Sequence, residues 1–138
     1  MAENIQKTKI KIAIIAGELS GDELGAPLMH SIKAINPSIE FIGVGGPKMI
    51  SEGLDTCFNI NEISVMGIIE PLLNLRRLLK LRKQLKEYFI KEKPDLFIGI
   101  DSPDFNLPIA KFLKKNTGIK AIQYVSPSVW AWRKGRIK

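Results

Sequence analysis

Two carboxylates, Asp101 and Asp104, stand three residues apart in Gly99-Ile100-Asp101-Ser102-Pro103-Asp104-Phe105-Asn106, directly after an apolar run, with Pro103 stiffening the turn between them. A carboxylate partly desolvated at the carboxyl end of a strand can act as a general base. Asp101 is nearest the strand and is expected to point into a crevice. Asp104 is placed to cap the following helix or to orient Asp101. Capping alone would also explain both acids, so spacing by itself leaves catalysis and structure open.

Three further clusters carry chemistry. Gly17-Glu18-Leu19-Ser20-Gly21-Asp22 is a short glycine-containing turn whose backbone N–H groups can meet an anion or a sugar hydroxyl. It matches neither the dinucleotide nor the triphosphate fingerprint, and a tight turn with Ser20 or Asp22 capping a helix accounts for it equally. Gly45-Gly46-Pro47 reads as a plain turn. Ser126-Pro127-Ser128-Val129-Trp130-Ala131-Trp132-Arg133 sets two tryptophans beside two serines, as core or as a wall for a sugar or acyl group. No His, Cys, Asp or Glu cluster has metal-ligand spacing, and the lone His30, read as a surface or packing residue, completes no Ser-His-Asp arrangement. No metal or cofactor is expected.

The elements that must position these residues follow from periodicity. Residues 10–16 form a short, continuous, β-branched run of the kind expected for a strand covered on both faces, and 39–44, 96–100 and 120–125 read as further strands. Between them lie a helix with Leu24, Leu28, Ile32 and Ile35 on one face, ended by Asn36-Pro37, and a short helix around Met49. A short strand near 57–60 follows, then a long basic helix from Glu70-Pro71 to about Lys91. A last helix covers 107–115, with Pro108 in its first turn and Gly118 as its stop. Strands alternating with helices imply a parallel α/β sheet with helices on both faces. In such a sheet ligands bind beyond the carboxyl ends of the strands, where all four clusters fall.

The 138 residues fit one domain, and the single Cys57 excludes an internal disulfide and reads as an inert, buried thiol in a reducing compartment. No signal peptide is read at the N-terminus, and no apolar stretch approaches the roughly 20 residues of a membrane span. The net charge is +7, and residues 76–93 alone hold eight of the 21 Lys and Arg against two acids. A localised basic stripe suggests an anionic partner. On that helix Leu78, Leu81, Leu85, Tyr88 and Phe89 share the face expected to pack on the sheet. Val65, Met66, Ile68, Ile69, Leu72, Leu73, Leu75 and Leu79 are further apolar residues beside Arg76, Arg77, Lys80, Arg82 and Lys83. That combination suits an interfacial helix on anionic lipid, or else a core with a solvated basic face. Nucleic acid is not expected, because no aromatics interleave with the start of the cluster and no reader motif is present.

Five blocks in order, AGELSGDELGA (16–26), GVGGPKM (43–49), VMGIIEPL (65–72), PDLFIGIDSPDFN (94–106) and YVSPSVWAWR (124–133), resemble the lipid-A-disaccharide synthases. That family comprises inverting glycosyltransferases of the two-domain GT-B fold. The resemblance implies that residues 1–138 form an incomplete, Rossmann-like, acceptor-side N-terminal domain without the C-terminal UDP-sugar-binding domain. It implies transfer from UDP-2,3-diacylglucosamine to 2,3-diacylglucosamine 1-phosphate, with release of UDP, at the cytoplasmic face of the inner membrane and without a metal. By position it makes Asp101 the base for the acceptor 6-hydroxyl. Glu18, Ser20, Asp22 and Asp104 become acceptor-side residues, and Ser126, Ser128, Trp130 and Arg133 line the interdomain cleft. Residues 65 to about 80 become the membrane-facing region. Family chains are more than twice this length, so the 138 residues alone are not expected to turn over. A non-catalytic module binding membrane or lipid-linked sugar phosphate is the competing reading. An unfinished sheet also exposes an edge, which favours self-association.

Overall fold

The computed structural model describes residues 9–58, 75–101 and 103–124, with the backbone alone at 75, 103 and 104. Five strands form one all-parallel sheet: β1 (Lys11–Ala16), β2 (Glu40–Val44), β3 (Leu54–Thr56), β4 (Leu96–Ile100) and β5 (Lys120–Tyr124). They lie in the order β3-β2-β1-β4-β5. The helices are α1 (Leu19–Ile35), α2 (Pro47–Ser51), α3 (Leu75–Glu92) and α4 (Pro103–Thr117). The expected α/β fold with a Rossmann-like parallel sheet is therefore present. α1 packs on α2, and α3 packs on α4. The chain steps outward from β1 in one direction and, after α3, from β4 in the other, and right-handed crossovers then set helices on opposite faces.

The three inner strands carry the core. Ile12 to Ala16, Phe41 to Val44 and Phe97 to Ile100 are buried, as continuous apolar runs covered on both sides must be. β5 is an edge strand and alternates instead, leaving Ile122 and Tyr124 exposed. The packing face expected for the basic helix is the observed one. Leu81, Leu85 and Phe89 are buried, Leu78 and Tyr88 lie against them, and Phe89 meets Phe97 edge-on with ring centroids 6.1 Å apart.

Several expectations are corrected. The buried residues of α1 are Gly21, Asp22, Gly25, Ala26 and Met29, of which Gly21 lies against the sheet and Asp22 and Gly25 against α2. Leu24, Leu28 and Ile32 flank them, partly buried, and Ile35 is 85% exposed. Gly21 lets the helix approach the sheet closely. A Cβ at Gly21 would stand 3.1 Å from the Ala16 Cβ and 3.4 Å from the Ile100 Cγ2. The third strand lies at 54–56, where Phe41, Ile42 and Gly43 pair with Leu54, Asp55 and Thr56; Cys57 and Phe58 follow it outside the strand, and 59–60 lie outside the described residues. α4 begins at Pro103, four residues early, with proline in the first turn where its missing N–H is harmless. The stops are as expected: Asn36 closes α1 with its N–H on the Ile32 carbonyl, and Gly118, at φ +75°, ends α4.

Candidate functional site

The carboxyl ends of β1 and β4 lie side by side, in register up to Ala16 opposite Ile100. From β1 the chain turns toward β2 and from β4 toward β5, so this pair is the switch point of the sheet and the place where a crevice opens. Glu18 and Ser20 leave β1 on the first turn of α1 and are exposed. Asp101 leaves β4 and is half-buried. The Ser20 hydroxyl donates to Asp101 Oδ2 across 3.5 Å, a long bond that joins the two loops. The close approach allowed by Gly21 sets this first turn over Ala16 and Ile100, bringing Ser20 to Asp101.

Asp101 has φ +53°, the left-handed region. A non-glycine residue there carries a penalty of about 1–2 kcal/mol, and such strain collects at functional positions. Its backbone is held on both sides. The N–H donates to the Tyr124 carbonyl at 2.8 Å, and the carbonyl accepts Asn106 Nδ2 and Gln123 Nε2, each at 2.8 Å. Asn106 is fully buried and also reaches the Ile100 carbonyl at 3.4 Å. Sequence reasoning assigned no role to Asn106 or Gln123. Asn106 lies inside the quoted Asp101 block, but Gln123 is a single amide in an edge strand that no local pattern marks.

Asp22 sits differently from Glu18 and Ser20. It is 2% exposed, and its carboxylate faces the loop after β2. Oδ1 accepts the Gly46 and Met49 N–H groups at 2.9 and 2.8 Å, and Oδ2 accepts Lys48 N–H at 3.0 Å. Neither Ser20 nor Asp22 caps α1, whose N-cap is Glu18, without a side-chain bond. Asp22 instead caps α2, whose own N-cap, Gly46, has no side chain to do so. The Gly45-Gly46-Pro47 segment is thus the start of a helix clamped to α1 by one buried carboxylate.

Ser126, Ser128, Trp130 and Arg133 lie outside the described residues, as do Val65, Met66, Ile68, Ile69, Leu72 and Leu73. Asp104 falls in the first turn of α4 and Leu75 begins α3. Arg76, Arg77 and Lys80 are exposed, with Leu79 among them at 47% exposure. His30 is a surface residue, its Nδ1 3.2 Å from Glu52 Oε1. Cys57 is partly buried and donates to the Gly43 carbonyl at 3.3 Å. Burial pushes its thiol up to about 11, against a hydrogen bond with Tyr88 that lowers it, which accords with an inert thiol. Among the described residues no group of three His, Cys, Asp or Glu side chains is arranged to hold a metal ion, and no helix is long and apolar enough to cross a membrane.

Comparison with known proteins adds the rest. A family model described as lipid-A-disaccharide synthetase matches residues 12–138. A lipid-A-disaccharide synthase of Aliivibrio fischeri strain MJ11 is 57% identical over 128 residues, covering 93% of this chain and 33% of its own length. Those of Pasteurella multocida strain Pm70 and Haemophilus influenzae strain PittEE are each 54% identical, over 98% and 96% of this chain and 34% of their own lengths. The chain therefore spans about a third of the length of the curated relatives it matches.

Proposed function

Because the chain belongs to the lipid-A-disaccharide synthase family, we propose that residues 1–138 supply the acceptor-side, Rossmann-like part of an inverting GT-B glycosyltransferase of lipid A synthesis. The observation that carries this reading is the Ser20–Asp101 contact at the β1/β4 switch point, where Asp101 is half-buried and its backbone lies in the left-handed region. In the proposed reaction Asp101 takes the proton of the 6-hydroxyl of 2,3-diacylglucosamine 1-phosphate. The freed oxygen attacks the anomeric carbon of UDP-2,3-diacylglucosamine, and the carbon–oxygen bond to UDP breaks with inversion. Ser20 orients the carboxylate, and Glu18 and Asp104 are assigned to meet acceptor hydroxyls. Ser126, Ser128, Trp130 and Arg133 belong to the cleft facing the donor. The second domain, which binds the UDP-sugar, belongs to the part of the relatives beyond the third matched here.

The test is Asp101→Asn in a full-length synthase carrying these residues. Loss of a general base lowers kcat by about 10²–10⁴-fold, and donor binding measured by titration stays within twofold. Turnover within tenfold of the parent removes Asp101 from the base role. The 138-residue polypeptide alone is expected to release no UDP from the donor.

A non-catalytic docking role draws on a different observation, the exposed Leu79 among Arg76, Arg77 and Lys80. We assign this end of α3, with residues 65–73 before it, to the anionic cytoplasmic face of the inner membrane. Each Lys or Arg near such a surface contributes about 1 kcal/mol. Flotation with anionic but not neutral vesicles is the expected result, weakened by Arg77→Glu. Absence of binding to either vesicle makes the stripe a solvated face only. Vesicle binding without any turnover by a full-length synthase carrying these residues would favour the docking module over the enzyme.

A further inference from the structure

Asp101 does not hold its left-handed conformation by itself, and the groups that hold it are unusual. Its N–H continues the β4–β5 ladder to the Tyr124 carbonyl, but its carbonyl leaves the ladder and takes two side-chain amides, Asn106 Nδ2 from α4 and Gln123 Nε2 from β5. A carbonyl oxygen has two lone pairs, and here both are filled. Each amide does this at the expense of its other end. Asn106 Oδ1 and Gln123 Oε1 are buried with no hydrogen-bond partner among the described residues. Turning either amide over would set oxygen against the Asp101 oxygen, so the orientation follows from the acceptor it faces. An apolar side chain would fill either position without leaving a buried acceptor unpaired. What the amides supply in return is the fixed carbonyl.

Gly99 makes the room. A Cβ there would stand 2.5 Å from Gln123 Oε1 and 2.9 Å from the Asn106 Cβ, so two amides and one strand meet where a third side chain cannot fit. Fixing the carbonyl fixes the peptide plane after residue 101, and with it the backbone torsions from which the carboxylate projects beside Ser20.

We propose that Asn106 and Gln123 are positioning residues, a pair of amides that clamp the Asp101 carbonyl, hold residue 101 in the left-handed region and so aim its carboxylate into the crevice. The clamp matters to catalysis only if Asp101 is the base, the reading given above. Its effect on geometry stands apart from that reading.

Gln123→Met separates the two. Methionine keeps the length and bulk of the side chain and loses the donor, and an edge-strand position that is half-buried tolerates it. In a full-length synthase carrying these residues, kcat per folded enzyme is expected to fall about 10- to 100-fold, the range for a misplaced catalytic group. The KM for both substrates stays within twofold. A crystal structure of the variant is expected to show Asp101 out of the left-handed region. Gly99→Ala, which displaces the amides without touching Asp101, is expected to reproduce both changes. A lowered melting temperature with kcat unchanged would make the amides structural only, and a raised KM alone would make Gln123 a substrate contact; either overturns the proposal. So does an Asp101 φ that stays near its present value in Gln123→Met. Undiminished turnover of Asp101→Asn refutes the base assignment instead, and the φ measurement then decides the clamp on its own.

Discussion

Replacing Asp22 tests whether the buried carboxylate beside the crevice is architecture or a substrate contact. Its two oxygens take three backbone N–H groups, and bonds to a charged acceptor are worth about 1.5–3 kcal/mol each. Asp22→Asn can leave its carbonyl oxygen in the Oδ1 position, keeping Gly46 and Met49, but its NH₂ then faces the Lys48 N–H. One charge-assisted bond is lost and two donors confront each other, so a loss of about 2–3 kcal/mol is expected. The opposite amide orientation gives up two bonds instead of one and is worse. Asp22→Ala strips all three, and because Gly46 and Met49 are buried, water cannot replace two of them. About 4–5 kcal/mol follows, less than the plain sum because the Lys48 N–H lies at an exposed residue. Urea unfolding followed by far-ultraviolet circular dichroism is the assay. With a slope of about 2 kcal/mol per molar urea, Asp22→Asn lowers the midpoint by about 1–1.5 M. A shift under roughly 0.3 M, accompanied by a raised KM for the acceptor in a full-length synthase, would refute this reasoning. It would return Asp22 to the substrate-binding role that the sequence suggested.

Cys57 and Tyr88 are pushed up to about 11 and about 12, in both cases chiefly by burial. At pH 8 the thiolate fraction of Cys57 is then about a hundredfold below that of an ordinary thiol, and iodoacetamide labelling of the native protein is expected to be slower by that factor. Both groups hold their protons more tightly folded than unfolded. Their stabilisation is therefore complete below about pH 9 and is lost as pH rises through about 11–12, a decline that Cys57→Ser with Tyr88→Phe should flatten. A slope unchanged in the double variant would show that other groups control the alkaline limit. For Gly21→Ala two effects oppose. Alanine in a helix gains about 1 kcal/mol over glycine. Yet its Cβ must stand 3.1 Å from the Ala16 Cβ, lifting the first turn of α1 away from Asp101. Stability within about 1 kcal/mol of the parent and a kcat at least several-fold lower are expected. An unchanged kcat would separate Ser20 from the reaction.

Continuous apolar runs made β1, β2 and β4 legible, because a strand buried on both faces has no alternation to misread. β3 was not, since Leu54-Asp55-Thr56 buries one side chain fully and owes its place to pairing with β2. On α1 the leucine and isoleucine face was legible in part, since Leu24, Leu28 and Ile32 pack against the core while Ile35 is exposed, but the buried glycines and alanine beside it carry no weight in a hydrophobic count. Periodicity and the topology rule were enough to bring Glu18, Ser20 and Asp101 to one crevice. They could not reveal that Asp22 caps a helix 24 to 27 residues further on, nor that Gln123 and Asn106 meet at one carbonyl. Each of those depends on tertiary register, which no window along the chain contains.

The same distinction explains why the site sits where local rules fail. Strand and helix propensities account for every element around Asp101 but not for Asp101 itself, an aspartate in the left-handed region flanked by two amides with unpaired oxygens. A sequence under selection for stability alone would place glycine at 101 and leave no buried amide oxygen unpaired at 106 and 123. The penalties are retained together, at one point, at the switch point of the sheet. β1 and β4 are adjacent only because the chain reverses its direction of travel there, so the loops diverge and leave the Asp101 carboxylate half-open to solvent. Strain, the unpaired amide oxygens and topology meet at the same residue, and on the proposed reading that convergence, more than the presence of an acid, singles out Asp101.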